Sequence, residues 1–519
     1  ITAKDMQIKN VGGGYNGLHN GGGGNIVLTG DLVISGVSGT HTGENCYGNG
    51  MYFKNGKLNV TGNVTITDVT AASTHANDTH TVNNGLYNEG ATMEIGGDLT
   101  VKNVTTHAVG NKGTLKVAGK IDTDTSGQRG LNNSGTVTAA SISISNTSGD
   151  GISSTGAITV TGDITTSTTG GTGIIIKQNL SAANVTVTNA TGHGLCLNAG
   201  NISVTVTGNI VINGATNRGI SNTQAGSTVT AGNITVSNVT GENGIANGNA
   251  TSVITADNIT VQTIVPTQNG ITNKGQILVS NNLSIDGVSG TTNAADKGNG
   301  LWNSGTVVVG NKITVSNVTS SGSTDHAANN GINNTGNIVA GSVDGQNTIS
   351  ATGTIEVSGV SAGHGIHGKG GSIAAKDITI TGVTGSEKCG MYLENSSTTY
   401  AAGTITVDSA CKQSIQIQYA NSLTADKLIV KNSVDNGLRI YNAADTKGIT
   451  VQIGTVIASN CASRGIAAQQ TIASDNTISI TNVYYSNCPT GGIHDRVKPY
   501  VTNIYDYLPA DPSAGNAEN

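Results

Sequence analysis

Large side chains are scarce in this sequence. Aromatic residues make up 3% of the 519 residues, with one Trp and one Phe. A compact protein of this length would divide into several bodies, each with bulky residues at its core. The apolar residues that are present are mainly Ile, Val, Leu and Ala, which favours a narrow and repetitive core filled one layer at a time.

Charge, proline and long apolar runs are also scarce. Charged residues are 11% of the chain and the formal net charge is −6. The sequence has no basic stretch that would bind a phosphate backbone, so nucleic acid is not an expected partner. The 5 Pro are too few for a collagen-like or Pro-rich disordered chain. No apolar run approaches the roughly 18 residues that span a bilayer, and no charged-then-apolar leader is present. We expect contact with a membrane only through regions outside this sequence.

Glycine and asparagine, by contrast, recur in phase. The phrase Asn-Gly-(Ile/Leu)-x-Asn stands at residues 84–88, 243–247, 269–273, 299–303 and 330–334. Its glycine marks about nineteen copies between Gly17 and Gly492, spaced roughly 20 to 35 residues apart, which is the spacing of solenoid repeats. We call this phrase the anchor.

Each repeat divides into three short strands. The anchor is the first, and the second and third are apolar residues alternating with Thr or Ser, as in residues 277–279 and 313–315. This alternation is typical of strands with one buried face. The sequence therefore predicts an all-β, single-chain parallel β-helix of about nineteen turns. The predicted domains are the solenoid, residues 1–495, and a C-terminal irregular segment and linker, residues 496–519.

The asparagine that closes the anchor has the same inward phase as the aliphatic residue before it. We expect these amides to stack as a ladder along one corner of the core. The predicted members of this ladder are Asn20, Asn88, Asn133, Asn222, Asn247, Asn273, Asn303 and Asn334. Other corners should use Gly, Asn and Asp, because those residues tolerate positive φ best.

Repeat length varies mostly just before the anchor. Insertions there cover residues 38–49, 70–84, 289–299 and 319–330, and another at 341–352 lies between the second and third strands. Insertions at one corner of a solenoid project from one edge, and such edges are often used for binding.

Two of the six cysteines stand in equivalent positions. Cys461 and Cys488 each lie four residues before an anchor glycine in adjacent turns, which would place them about 4.8 Å apart and predicts a disulfide. Cys389 and Cys411 are slightly out of phase and form a weaker candidate pair. Unpaired cysteines in a reducing compartment are the alternative.

The residue before the closing asparagine points away from the core, and much of the chain's aromatic content falls in this outward column. Exposed aromatic rings can stack on sugars or anchor protein contacts, whereas ordinary β-propensity on a solvent face would explain the same pattern. The column includes His19, Cys196, His367, Arg439 and His494, and its candidate ligand-binding residues are Tyr52, Tyr87, Trp302 and Tyr392.

Metal and cofactor chemistry has little support. His364 and His367 could share a metal and Asp122 with Asp124 could bind calcium, but neither pair comes with the further ligands that a site requires. The sequence thus predicts no metal and no cofactor.

Catalysis in a β-helix would need several carboxylates and a basic residue converging in a cleft. Asp435, Arg439, Asp445 and Arg464 are the densest candidates on consecutive turns. Their phases differ along the strands, so the favoured expectation is a protein without enzymatic activity.

The anchor phrase and the phrase at residues 233–239, together with Gly, Thr and Asn richness, resemble the β-helical passenger regions of bacterial autotransporters and other large surface adhesins. The resemblance covers residues 1–495 and is architectural. It implies right-handed winding, export to the bacterial cell surface and a role in adhesion, and it transfers no catalytic residues.

Three functions follow as hypotheses. The first is an extracellular adhesin or structural stalk that binds a glycan or a surface protein. The second is a β-helix polysaccharide lyase or hydrolase. The third is a filament subunit that associates end to end, because residues 1–6 align with residues 254–259 and the chain thus starts inside a turn.

Overall fold

The structure is a computed structural model. It describes residues 1–41, 47–70, 72–73, 83–291, 294, 296–320, 328–344, 348–384, 387–409, 411–418, 421–441, 448–469, 472 and 476–508. The sequence predicts one solenoid domain, whereas the chain divides into two compact units, Ile1–Gly241 with Thr251–Ala256 and Glu242–Ala250 with Asp257–Asn519. They are the first and second unit below, and each is a parallel β-helix.

The anchor strands begin at or near the recurrent glycine, and among the residues that the structure describes each unit stacks nine of them in parallel. In the first unit they are Leu18–Asn20, Met51–Phe53, Leu86–Asn88, Val109–Asn111, Leu131–Asn133, Ile152–Ser154, Ile174–Ile176, Leu195–Leu197 and Arg218–Asn222. In the second unit they are Asn243–Asn247, Ile271–Asn273, Leu301–Asn303, Ile332–Asn334, Ile366–Lys369, Cys389–Glu394, Gln413–Gln418, Leu438–Tyr441 and Ile466–Ala468.

The second and third strands of each turn form the other faces. Separate second strands are Thr2–Ala3, Asn25–Leu28, Lys57–Val60, Thr92–Ile95, Ile158–Val160, Leu180–Ala182, Ser203–Val206, Thr228–Thr230, Thr306–Val309, Asn337–Ala340 and Ser372–Ala375. Separate third strands are Met6–Val11, Leu32–Val37, Val64–Val69, Leu99–Val104, Asp163–Thr169, Asn184–Ala190, Asn209–Ala215, Asn233–Val239, Lys312–Ser320, Thr354–Val360 and Asp377–Thr381.

In other turns the second and third strands are continuous. These long strands are Thr114–Ser126, Thr136–Thr147, Val253–Ile264, Gln276–Gly290, Thr398–Asp408, Ser422–Lys431, Thr450–Ser459 and Thr477–Ser486. Strand pairing keeps equivalent residues level, as in Leu99 opposite Val64 and Val101 opposite Ile66.

The predicted fold class is confirmed, and the described residues contain eighteen anchor strands rather than nineteen. The expected nineteenth, at Gly492, makes a single parallel bridge between Ile466 and Ile493. The aliphatic residues of the anchors face inward as predicted: Ile245, Ile271 and Leu301 are each 0% exposed. Because no single turn can bury its inner face alone, the stacking itself creates the core.

The predicted ladder of closing asparagines is present in both units. Asn273 Nδ2 donates to Asn303 Oδ1 at 2.8 Å, and Asn303 Nδ2 donates to Asn334 Oδ1 at 2.8 Å. Each of these amides also donates to a backbone carbonyl, for example Asn273 to Gly275 at 3.2 Å. In the first unit Asn88, Asn111 and Asn133 repeat the arrangement. The ladder gives hydrogen-bond partners to buried amide groups, which would destabilise the folded state if they were left unpaired.

A second buried amide ladder was not predicted. It uses the asparagine just before the anchor glycine: Asn49 Nδ2 donates to Asn16 Oδ1 at 3.0 Å, and Asn84 Nδ2 donates to Asn49 Oδ1 at 3.0 Å. In the second unit Asn299 Nδ2 donates in the same way to Asn269 Oδ1 at 3.0 Å. The anchor glycine therefore stands between two ladders.

The anchor glycines are needed for close approach. A Cβ on Gly50 would lie 2.5 Å from Ile66 Cγ2 and 2.6 Å from the carbonyl oxygen of Gly85. Positive φ is instead concentrated near the ends of the third strands, at Asn103 (54°) and Asn146 (54°), as predicted for corner residues. Thr125, with φ of 55°, occupies the same corner, which is unusual for a β-branched residue.

The C-terminal segment contains more regular structure than predicted. A one-turn 3-10 helix, Lys498–Tyr500, precedes the strand Val501–Tyr505, which pairs in parallel with Thr477–Ser486. Residues 509–519, predicted as a linker, lie outside the described residues.

Three predicted insertions, 38–49, 70–84 and 341–352, contain strands among their described residues. The short strands Thr40–His41 and Ala72–Ser73 pair in parallel, and the insertion at 341–352 contains an antiparallel hairpin, Ser342–Val343 with Ile349–Ser350. Much of the other insertions lies outside the described residues.

Candidate functional site

Two neighbouring columns of side chains flank each anchor glycine on the side away from the aliphatic core, and many of their members are buried. The residue two positions after the glycine defines the anchor column, and the residue just before the glycine defines the pre-glycine column. Members three residues apart touch across the glycine, since Asn269 Nδ2 donates to Thr272 Oγ1 at 3.0 Å. In the second unit the anchor column runs through Thr272, Trp302, Asn333, His367, Tyr392, Gln416, Arg439 and Ala467.

The predicted exposure of the aromatic residues in this column is wrong for three of the four. Tyr52 is 3% exposed, Tyr87 is 2% exposed and Tyr392 is 6% exposed. Tyr52 and Tyr87 stack on each other with centroids 5.9 Å apart and an interplanar angle of 10°. Rings on successive turns are so close that each covers the face of the next. Trp302 is half-buried, and its Nε1 has no hydrogen-bond partner in the described chain.

Four side chains from the anchors of residues 366–369 and 389–394 form a buried cluster. The rings of His364 and Tyr392 stack with centroids 4.8 Å apart, and His367 lies 5.3 Å from Tyr392. The backbone N–H of Cys389 donates to His364 Nδ1 at 2.9 Å, so this nitrogen carries no proton. His367 Nε2 lies 3.0 Å from Glu394 Oε1. The faces of Tyr392 are therefore occupied by protein.

Glu394 is held in its charged form. Burial alone would raise its pKa, but the hydrogen bond with His367, the charge of that ring and the nearby Lys369 outweigh burial, so the pKa of Glu394 is lowered. Gln418 Nε2 also donates to Glu394 at 3.3 Å. A carboxyl with a lowered pKa is a poor general acid at neutral pH.

A small pocket of about 150 Å³ opens beside this cluster. Gln413 Nε2, at its base, donates to Asp435 Oδ2 at 3.0 Å, and Gln416 accepts from Arg439 Nη1 at 3.5 Å. Glu387 and Lys412 form an ion pair at its rim. The pocket is lined by His364, Glu387, Cys389, Tyr392, Lys412, Gln413, Gln416 and Arg439. Glu387 and Lys412 pair with each other, whereas Arg439 bonds to the amides of Gln416 and Gln469.

The predicted catalytic candidates are not assembled as an acid and base pair. Asp435 is bonded to Gln413, and Arg439 is bonded to Gln416 and Gln469. No side-chain hydrogen bond or ion pair joins Arg464 to either of them in the described chain, and Asp445 lies outside the described residues.

No group of three metal-ligating side chains occurs among the described residues. His364 and His367 are 5.6 Å apart between ring centroids and are occupied as described above. Asp122 pairs with Lys102 and Lys120. The candidate calcium pair of Asp122 and Asp124 is therefore engaged by protein cations and, through Asp124, by Ser145 at 2.7 Å.

The predicted disulfide between Cys461 and Cys488 is not formed, and both are free, buried thiols. Each thiol donates to a backbone carbonyl, Cys461 to Ser459 and Cys488 to Ser486. The two are nonetheless neighbours: their mutual interaction, followed by burial, raises the pKa of Cys461, and the same interaction lowers the pKa of Cys488. Cys389 and Cys411 are also free, and both contact Gln413 instead of each other.

A larger hollow in the first unit is less suited to a polar ligand. It has a volume of about 420 Å³ and mainly apolar walls between second-strand ends, such as Val60, Ile95 and Val117. Its charged residues, Glu94 and Lys116, already pair with each other at 3.6 Å.

Comparison with protein-family models, with characterised proteins and with solved structures gives no match. Of the helical residues that the structure describes, none belongs to a helix long and apolar enough to cross a membrane.

Sequence reasoning missed most of this pocket, including Gln413 and Gln416, and it also missed Glu394 in the neighbouring cluster. A signal was present in the pre-glycine column, where Asn269, Asn299 and Asn330 give way to His364, Cys389 and Gln413. A break in a structural ladder indicates that another requirement has replaced stacking at those turns.

Proposed function

We propose that this protein is a non-catalytic surface adhesin whose second unit binds a glycan at the pocket between Tyr392 and Arg439. The observation that carries the proposal is that Tyr392, Gln416 and Arg439, large polar side chains on three successive anchors, line one pocket. Rigid strands hold these groups, so a ligand would meet a preorganised surface.

The chemistry of the pocket favours a sugar over an apolar ligand. The amides and charged groups of the pocket keep further donors and acceptors beyond those used in their own hydrogen bonds. These can bond to the hydroxyl groups of a sugar. Its volume, about 150 Å³, lies below the roughly 300 to 1,000 Å³ of drug-sized sites, so we expect it to take one residue of a longer chain. Export and adhesion are supported by the resemblance of the repeat phrases to bacterial surface adhesins.

A glycan array probed with the intact protein tests the proposal. Gln416→Ala removes an amide from the pocket wall, and we expect about a tenfold or greater loss of affinity for the glycan that binds best. Ser153→Ala is the matched control, because Ser153 holds the equivalent anchor-column position in the first unit; its affinity should be unchanged.

Three results would contradict the proposal: no glycan bound by wild type, equal binding by wild type and Gln416→Ala, or equal losses in both variants. A reducing-end assay on mixed polysaccharides addresses the catalytic alternative. Turnover that disappears in Asp435→Asn or Arg439→Ala would replace the adhesin with an enzyme.

A further inference from the structure

Arginine is rare in this chain, and its distribution is uneven. The sequence contains five arginines, and three of them, Arg439, Arg464 and Arg496, fall within the last anchor turns of the second unit. The other two, Arg129 and Arg218, stand in the first unit in the pre-glycine column.

Strand pairing gathers these arginines around one small residue. Arg439 lies directly opposite Ala467 in the parallel pairing of their anchors. On the other side, the backbone N–H of His494 donates to Ile466 at 2.9 Å, and Arg496 Nη1 donates to the carbonyl oxygens of Ala468 and Gln469. We call the set of Arg439, Arg464 and Arg496 around Ala467 the arginine notch.

Arg464 occupies its position without the partner that equivalent arginines have. Arg218 Nη1 donates to Ser221 Oγ at 3.3 Å, three residues ahead, and Arg129 Nη1 reaches Asn132 at 3.5 Å in the same way. The corresponding residue for Arg464 is Ala467, which offers no side-chain acceptor. In the described chain the guanidinium group of Arg464 makes no hydrogen bond or ion pair, although its backbone carbonyl accepts from the N–H of Gly437.

None of the three guanidinium groups is neutralised by a hydrogen-bonded carboxylate among the described residues. Arg439 bonds to the amides of Gln416 and Gln469, and Arg496 bonds to backbone carbonyls. Asp495, which precedes Arg496 in the sequence, has a side chain that is 88% exposed and forms its ion pair with Lys498 at 2.7 Å.

The local field is positive as a result. Partial burial lowers the pKa of His494, and the charges of Arg464 and Arg496 lower it further. Planar guanidinium groups with free donors match the two oxygens of a carboxylate, which they can bind in bidentate geometry.

We propose that the arginine notch binds the carboxylate of an acidic sugar. Arg439 belongs both to the notch and to the pocket described above, so the two lie next to each other. This inference rests on the proposed glycan function and specifies the class of glycan, a uronic-acid polymer. The pocket would hold one sugar ring, and the notch would hold the carboxylate of a neighbouring residue in the same polymer.

Binding of polygalacturonate, dextran sulfate and neutral dextran to the intact protein tests this. We expect polygalacturonate to bind more tightly than the other two, and its affinity to fall as salt is raised. Arg464→Gln and Arg496→Gln should each weaken polygalacturonate binding about tenfold or more. Arg218→Gln is the matched control, because Arg218 precedes its anchor glycine as Arg464 does, and should leave binding unchanged.

A second measurement does not depend on polymer binding. Phenylglyoxal modification of Arg464, followed by mass spectrometry, should be slowed by galacturonate and not by galactose. If galacturonate protects Arg464 while no polymer binds, the notch stands and the proposed glycan function fails.

Other outcomes overturn the notch itself. Equal polygalacturonate affinity in Arg464→Gln and Arg218→Gln would do so, and neutral glycan binding would then leave the proposed function intact. Tighter binding of dextran sulfate than of polygalacturonate would overturn the assignment to a carboxylate.

Discussion

Buried hydroxyl groups mark the positions where this core is least optimised. Thr123 is 1% exposed and Thr166 is 0% exposed, and the Oγ1 atom of each has no hydrogen-bond partner. Both stand in an inward column of third strands, and Thr166 lies opposite Ile144 and Val187 in the adjacent turns. A hydroxyl buried without a partner costs roughly 1 to 3 kcal/mol.

Thr166→Val is therefore expected to stabilise the protein. Valine keeps the shape of the side chain and removes the unpaired hydroxyl, so the free energy of unfolding should rise by about 1 kcal/mol. Chemical denaturation measures this change. Thr165→Val, on the outward side of the same strand, is the control and should change stability little; a less stable Thr166→Val protein would contradict the prediction.

Glu394 predicts a dependence of stability on acid. Its pKa is lowered in the folded protein, so its stabilising contribution is present above the usual value of 4.5 and is lost as the pH falls through the lower folded value. Glu394→Gln should cost about 1 kcal/mol at neutral pH. The free energy of unfolding of the Glu394→Gln protein should also fall less steeply than that of wild type as the pH is lowered below 4.5.

Denaturation of both proteins across this pH range checks the prediction. Glu356→Gln is a suitable control, since the Lys312–Glu356 pair is exposed on a third strand and should contribute little. Parallel pH profiles for wild type and Glu394→Gln would show that the carboxylate does not stabilise the fold.

At the scale of the element, every turn makes the same kinds of contact with its neighbours, and different apolar side chains fill equivalent positions in different turns. Val360 and Val318 fill one inward position of the third strands, and Cys461 and Cys488 are buried just beyond the third strands of later turns. Free cysteine packs as a small apolar residue. The two thiols thus serve the core in the structure while remaining close enough to react.

Mild oxidation is expected to join Cys461 and Cys488. The lowered pKa of Cys488 favours its thiolate as the attacking group, and the bond should stabilise the folded state by about 3 kcal/mol. Mass spectrometry of the thiols and denaturation with and without reductant measure both effects. Cys488→Ser should abolish the redox effect, whereas Cys196→Ser should retain it; equal stability of the oxidised and reduced proteins would contradict the prediction.

At the scale of the whole molecule, stability in each unit should come from neighbouring turns. Each turn of a solenoid contacts the turn before it and the turn after it. A destabilising substitution should therefore affect the adjacent turns most and more distant turns less. Ile245, Ile271 and Leu301 form such a series in the second unit.

Ile245→Asp should destabilise the second unit strongly, because it buries an unpaired charge. We expect a loss of more than about 4 kcal/mol, with amide hydrogen exchange fastest near Ile271 and slower near Leu438. Ser304→Asp, at an exposed position of the same unit, is the control. Unchanged exchange in Ile245→Asp would contradict the inward assignment of this residue.

Much of this architecture can be predicted from the sequence. The spacing of the anchor glycines and the two-residue alternation place Ile245 and Ile271 in one inward column, and they place Asn273 in a ladder with Asn303. These features depend only on chain direction and phase, since identical turns stacked in parallel bring equal positions together.

The candidate site was decided by the tertiary structure. The sequence alone places Tyr52 and Tyr392 on the outward side, yet neighbouring rings bury them. Turns of unequal length determine which side chains lie side by side. This stacking brings Gln416 against Arg439 and places Ala467 beside Arg464. The sequence by itself determined which way each side chain points; only the stacked structure decided what it meets there, because contacts between turns depend on every neighbour's size and charge.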